Sequence, residues 1–406
     1  MIKKNKLIIL FSVSIITILC FATNNISADC EPIPYPPGKV GHSMIYDSVN
    51  DLIIVYGGTI GEYDLDRKYD TRAFDVDTNT WTNLNPSVHP YPSAWGAMAY
   101  DSESEKIVQF GGIPQNDWAS NQTWVYDYAT NIWTNMDPAV FPAMRSTNVM
   151  AYDSESDVVI LHGGALAAED NPDGVYIKYN DTWAYDYNSN TWTEMTGTGL
   201  DVGLAEAQMT YDSESDRVIM FGGYYYYTGS YQTEYFATET WAYDYNTDTW
   251  ENVTTTIHPP PVMDHALAYD SESDRVIMHG GHTYVGDTNL QDKTWIFDYN
   301  TKTWENMNPA NPPVRVAHKM AYDSESDKVV LFGGVKAPTY TDLYNTVFTY
   351  DYNTNTWTKL PNNQCPTTTI PSTIPSTTEE SILPILSIIG SISIMTIYLI
   401  YKRKQR

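Results

Sequence analysis

The chain has 406 residues, is 42% hydrophobic and 14% aromatic, and carries a formal net charge of −27 with only three cysteines. An excess of negative charge this large repels nucleic acid and anionic lipid at long range. No HExxH, CxxC, GxSxG or phosphate-loop motif occurs, so the chemistries those motifs carry have no foothold here.

Taken from the start, Lys3, Lys4 and Lys6 precede an apolar run from Leu7 to Ala22, and Ile26-Ser27-Ala28 offers a small residue for cleavage. Residues 1–28 read as a secretory signal peptide, the alternative being an uncleaved anchor. Asp29 before Cys30 and Leu19 before Cys20 do not suit a lipoprotein cleavage site.

From residue 39 a unit of roughly 55 residues repeats six times. Each copy opens on a Tyr (Tyr46, Tyr100, Tyr152, Tyr211, Tyr269, Tyr322), and a Gly-Gly pair follows eleven residues on, beginning at Gly57, Gly111, Gly163, Gly222, Gly280 and Gly333. The stretch Thr210 to Gly223, TYDSESDRVIMFGG, is typical: an apolar run, a polar turn and a β-branched run, the pattern of a β-hairpin. A second hairpin follows, a YDY-type strand whose Asp lies six residues before a Trp: Asp75 and Trp81, Asp127 and Trp133, Asp186 and Trp192, Asp244 and Trp250, Asp298 and Trp304, Asp351 and Trp357. Each unit therefore holds four short antiparallel strands, here A (ending in the Tyr), B (ending in Gly-Gly), C (YDY) and D (at the Trp). A lone four-stranded sheet leaves its faces unburied, so the units must stack, and closing the stack into a ring protects the edges. Before each Tyr, bulky residues (Met44, Met98, Met150, Met209, Leu267, Met320) stand next to mostly small ones (Ile45, Ala99, Ala151, Thr210, Ala268, Ala321). Neighbouring strand residues point to opposite faces, so each A strand is expected to offer bulk to one neighbouring unit and space to the other.

The combination of apolar runs, Gly-Gly, Tyr and spaced Trp, from Lys39 to Leu360, resembles the kelch repeat. The resemblance implies an all-β fold, a six-bladed kelch-type β-propeller, over residues 29–365.

After signal removal two cysteines remain, Cys30 before the first blade and Cys365 after the last. First and last blades are neighbours in a ring, so a Cys30–Cys365 disulfide would staple the closure; two unpaired or intermolecular thiols are the alternative. Residues 366–381, PTTTIPSTIPSTTEES, form a Thr/Ser/Pro stalk. Ile382 to Tyr401 is twenty mostly apolar residues without a charge, long enough for a single transmembrane helix, and the basic tail 402–406 favours the cytoplasmic side. The expected topology is a cell membrane protein with its propeller outside, for which Asn121, Asn180 and Asn252 are candidate glycosylation sites. Seven of the 23 basic residues lie in the two ends, against only Glu379 and Glu380 of the 50 acids, so residues 29–365 hold 16 basic and 48 acidic groups. Much of that excess sits in the DSESD turns, which lack the Gly and ligand spacing of calcium loops and read as solvated turns.

Loop lengths single out one region. From D-strand Trp to the next Tyr the spacing is 18 or 19 residues throughout, whereas from the second Gly to the Asp of YDY it runs 17, 15, 22, 21, 17 and 17. The B-to-C loops of blades three and four are thus longest, and they carry Tyr176, Tyr179, Tyr224, Tyr225, Tyr226, Tyr227, Tyr231, Tyr235 and Phe236. Such a cluster suits protein contacts or stacking on sugars; alternatively these rings extend strands B and C and pack on each other. Arg145 and Arg315, with Lys39, occupy a common place seven before the Tyr, near the expected channel opening, where they could hold a carboxylate. His42, His265 and His318 share a place four before it, while His162 and His279 replace the aromatic before Gly-Gly and read as packing residues.

The resemblance extends to enzymes. The galactose-oxidase kind needs a Tyr crosslinked to a Cys beside copper, and no blade contains a Cys. The nitrile-specifier kind carries an E-x3-D-x3-H iron motif; Glu62, Asp66 and Asp70 imitate its spacing but end in Asp. No cofactor or metal is therefore expected. Two functions remain open: an extracellular recognition or adhesion module for a protein or carbohydrate ligand, and a sugar-modifying enzyme of the sialic-acid mutarotase type using Arg145, Arg315 and the strand-A histidines.

Overall fold

The computed structural model describes residues 35–60, 67–115, 118–167, 177–227, 233–283, 290–336 and 342–362. The chain divides into two compact units, Met1–Cys365 and Pro366–Arg406, and the second lies wholly outside the described residues. Also outside them fall residues 1–28, both cysteines of the expected disulfide, the stalk, the apolar stretch 382–401, Glu62, Asp66, Tyr176 and Tyr231. Among the described residues no helix is long and apolar enough to cross a membrane.

Each DSESD turn is built by its own side chains. In blade three Asp153 Oδ1 accepts the N–H groups of Glu155 and Ser156 at 3.1 and 3.0 Å. Asp157 then takes a left-handed backbone, φ 54°, and accepts the hydroxyl of Tyr152 at 2.9 Å. The same Tyr-to-Asp bond forms from Tyr46, Tyr211, Tyr269 and Tyr322. Asp serves at both positions because its short carboxylate reaches the local backbone and tolerates the left-handed region.

The resulting hairpins pair as A-B-C-D in six four-stranded antiparallel sheets. Blade one runs Val40–Asp47, Leu52–Thr59, Thr71–Asp75 and Thr80–Asn83, and the later A strands are Ala97–Asp101, Val149–Asp153, Gln208–Asp212, Ala266–Asp270 and Val316–Asp323. Every blade is one contiguous segment, so among the described residues no strand is exchanged across the seam between blades six and one.

Four of the six interfaces set the bulky residue against Ala, and two set it against larger apolar side chains. Met150 packs with Ala97 and Ala99 of blade two, Met209 with Ala151 of blade three, Leu267 with Ile219 and Phe221 of blade four, and Met320 with Ala266 and Ala268 of blade five. Met98 packs with Ile45 of blade one, and Met44 with Ala321 of blade six, so the closing seam is built like the others.

The D-strand Trp is the second inter-blade tie. Trp133, Trp192, Trp250, Trp304 and Trp357 each donate Nε1–H to the Thr that opens strand C of the preceding blade, at 2.8 to 3.0 Å. Each ring also meets the aromatic before the preceding blade's Gly-Gly, and in two blades that residue is histidine: His162 lies 4.9 Å from Trp250 and His279 4.5 Å from Trp357. Both histidines are packing residues. At the closing seam the position of the Thr is taken by Val347, and the Trp81 indole meets the Tyr35 side chain instead.

Gly-Gly is where one blade's backbone touches the next. Gly163 and Gly164 have φ 63° and 91°, a Cβ on Gly163 would lie 2.6 Å from Leu204 O, and Gly164 donates its N–H to that same carbonyl at 2.9 Å. Only Gly meets both demands. Gly334 makes the equivalent bond to Lys39 O, 2.8 Å, and so joins blade six to blade one.

Candidate functional site

Strand A begins where strand B ends, Val40 opposite Thr59 in blade one, so the D-to-A and B-to-C connections emerge on one face. The acidic A-to-B turns lie on the other.

At the centre of the first face, the residue five before each Tyr takes a left-handed backbone: Gly41, Trp95, Thr147, Glu206, Asp264 and Ala317, with φ between 54° and 65°. Successive members are tied around the channel. Trp95 donates its N–H to Gly41 O at 2.7 Å, Thr147 to Trp95 O at 2.8 Å, Glu206 to Thr147 O at 3.4 Å and Ala317 to Asp264 O at 2.9 Å. Left-handed backbone is costly for non-glycine residues and persists where surrounding bonds over-determine it. This belt was not foreseen, because the six positions share no residue type; the only trace in the sequence is their fixed distance from the Tyr.

Inside the belt lies a polar chamber of about 40 Å³, room for a few waters, lined by Trp95, Asn148, Glu206, Gln208, Asp264 and Lys319 with the three strand-A histidines. Lys319 Nζ donates to Gln208 Oε1 at 3.1 Å. Burial lowers the pKa of Lys319, and the charges of Asp264 and Glu206 act to restore it. His42, His265 and His318 are fully buried, and none of their ring nitrogens has a partner at hydrogen-bonding geometry. Burial pushes His42 and His265 down to about 3, and His318 well below its ordinary value, so all three are neutral at physiological pH. Each sits against the first Gly of the preceding blade's Gly-Gly or its neighbour Phe: His42 against Gly333 and Phe332, His265 against Gly222 and Phe221, His318 against Gly280. Their first role is to fill blade seams.

Arg145 and Arg315 do not stand at the channel opening as available cations. Arg145 is fully buried; its Nη1 and Nη2 clamp the two oxygens of Asp181 at 2.6 and 2.7 Å, Nη1 also donates to Gly163 O, and Tyr179 covers the guanidinium at 4.0 Å. Burial acts to raise the Asp181 carboxyl, but hydrogen bonds and charge from Arg145 outweigh it and hold the group below its usual range. Lys39 repeats the arrangement in blade one with Gly57 O and Asp70. Arg315 donates to Gly333 O and to Thr346, between the rings of Tyr344 and Phe348, and burial lowers its pKa to about 10. All three cations brace strand B's end against strand C's start within one blade, because the carbonyl of the first Gly of Gly-Gly and the acceptors just before strand C converge there. The acid–base groups expected for a sugar-modifying enzyme are thus internal.

Beside the channel, the B-to-C loops of blades three and four form ribbons, Ala165–Leu166 with Ile177–Lys178, and Tyr224–Tyr227 with Thr233–Phe236. Lys178 joins them: its Nζ lies 3.6 Å over the Tyr224 ring and donates to Tyr224 O at 2.8 Å. Tyr225 stacks on Tyr235 at 5.9 Å and rests on the apolar cluster between blades three and four, whereas Tyr235 is 46% exposed. Tyr226 and Tyr227 lie in the ribbon opposite Glu234 and Thr233. Of the sequon residues, Asn180 and Asn252 are exposed and Asn121 is half-buried. Among the described residues no group of His, Cys, Asp and Glu is placed to hold a metal ion.

Comparison with known proteins matches this geometry. The profile of the KLHDC2/KLHL20/DRC7 Kelch-repeats domain covers residues 15–223 and 208–379. The flagellar outer arm dynein alpha chain of Chlamydomonas reinhardtii is 30% identical over 279 residues, 63% of this chain and 6% of the relative. Mei4-dependent protein 6 of Schizosaccharomyces pombe is 22% identical over 328 residues, 73% of this chain and 45% of the relative, so the chain spans less than half of either. Kelch domain-containing protein 10 of Homo sapiens is 23% identical over 317 residues, 74% of this chain and 67% of the relative. With six blades, their Gly-Gly contacts and five Trp–Thr ties beside the family profile, the chain belongs to the kelch-repeat family.

Proposed function

We propose that this protein is a recognition module that holds an extracellular protein or carbohydrate ligand on the face carrying the B-to-C loops. The observation that carries the reading is the asymmetry of that face: in two adjacent blades the loops lengthen into Tyr-rich ribbons, joined by Lys178, beside a belt of constrained backbone, while the remaining framework repeats with little change. Rigid scaffolds commonly carry recognition on such loops, and exposed Tyr gives contact area at low entropic cost. The N-terminal apolar stretch, the Thr/Ser/Pro tract and the apolar segment with its basic tail support a reading in which the propeller is exported and held outside the cell by a stalk and a single membrane span. Glycan-array and surface-protein capture measurements with the full chain test the reading. A ligand lost on Tyr235→Ala supports it; ligands unaffected by changes anywhere on this face overturn it.

A further inference from the structure

The channel opens on the opposite face as a funnel of about 350 Å³, within the size range of small-molecule sites. Its floor is five methionines and Leu267, each 6 to 8% exposed. The six strand-A tyrosines form its wall, and serines of the A-to-B turns line its rim. Immediately beyond the rim, Glu103, Glu155, Glu214, Glu272 and Glu325 are exposed, one per turn in five blades.

Charge is sorted across each turn. The basic residue opening strand B reaches outward to the Asp of strand C, Lys106 to Asp127, Arg217 to Asp244, Arg275 to Asp298 and Lys328 to Asp351, and in two blades it also lies 3.7 to 3.8 Å from the turn carboxylate, Asp216 or Asp274. No Lys or Arg lines the funnel. On the inner side, five of the six tyrosine hydroxyls donate to turn carboxylates, which leaves their rings electron-rich. A concave surface with one sign of charge at its rim focuses the field inward.

We propose that this funnel binds a small amphipathic organic cation, an alkylammonium, with its apolar end on the methionine floor and its cationic head among the tyrosine rings below the glutamate rim. Methionine suits the floor because its thioether adapts to irregular apolar shapes, and aromatic faces attract a partly desolvated ammonium. The site is separate from the loop face and does not depend on the ligand proposed there.

The test is titration of the full chain, labelled at methionine methyls, with hexyltrimethylammonium, with hexanoate as the charge-reversed control and hexanol as the neutral one. Expected are saturable shifts of a subset of methyl signals, assigned to the floor by Met98→Leu and Met150→Leu, with dissociation in the submillimolar range and weakened by salt. The triple exposed change E155K/E214K/E272K should weaken binding at least tenfold without lowering the melting temperature. Equal binding of hexanoate or hexanol, shifts confined to other methionines, or no shift at millimolar cation would overturn the proposal.

Discussion

At the residue scale, the buried pair Arg145–Asp181 shows how a residue selected for ligand binding becomes structural once its surroundings are known. Removing one partner leaves the other charge buried and unpaired, so Arg145→Ala should cost about 3 kcal/mol in chemical denaturation. The double change with Asp181→Asn should cost less than the two single changes summed. Trp81 offers the opposite case. Val347→Thr would offer Trp81 the partner used in the other five seams in place of Tyr35, and should change stability by less than about 1 kcal/mol. A larger gain would mean that Tyr35, whose ring lies 6.2 Å from Trp81, leaves that N–H unsatisfied.

At the scale of the element, the Tyr ribbons of blades three and four separate into packing and contact positions. Tyr225 rests on the core, so Tyr225→Ala should lower the melting temperature. Tyr235 is exposed, and Tyr235→Ala should leave stability nearly unchanged while weakening ligand by about 1 to 3 kcal/mol, measured by calorimetry on the folded protein. The reverse outcome would assign Tyr235 to packing. Asp residues in the A-to-B turns behave as parts of the hairpin, since their oxygens already accept backbone N–H and Tyr hydroxyl groups.

For the whole molecule, acid is expected to open one side of the ring first. His42, His265 and His318 line the seams from blade four through five and six to one, His279 shares the seam between five and six, His162 lies in that between three and four, and burial holds the folded pKa of all five below 6.5. A group with a depressed folded pKa binds fewer protons folded than unfolded. The stability it contributes is therefore complete above pH 6.5 and is lost as pH falls toward 3. Asp51, Asp153 and Asp274, raised chiefly by burial, act in the other direction as pH falls into the carboxylate range, so the slope is best read just below pH 6.5. Hydrogen exchange should rise there at the seams from blade three round to blade one before the two seams of blade two, and His265→Asn should flatten the slope. Equal exchange in all blades would contradict this. Non-reducing peptide mapping of natively exported protein should also find Cys30 linked to Cys365, and protease on intact cells should release the propeller; free thiols, or retention despite access, would refute the closing bridge or the anchor.

The repeat count, the strand order and the alternation of Met with small residues were legible in the sequence because each rests on local periodicity: two-residue alternation in a strand, Gly where φ is positive, Asp at a turn. Packing roles of His162 and His279 were legible for the same reason, since they stand where other units place an aromatic. What only the tertiary structure decided concerns partners distant in sequence. Arg145 meets Asp181 across 36 residues and Trp250 meets Thr182 across 68, and nothing in either segment alone names the other. The left-handed belt escaped the sequence because backbone conformation there is imposed by the neighbouring blade through hydrogen bonds, whatever side chain occupies the position.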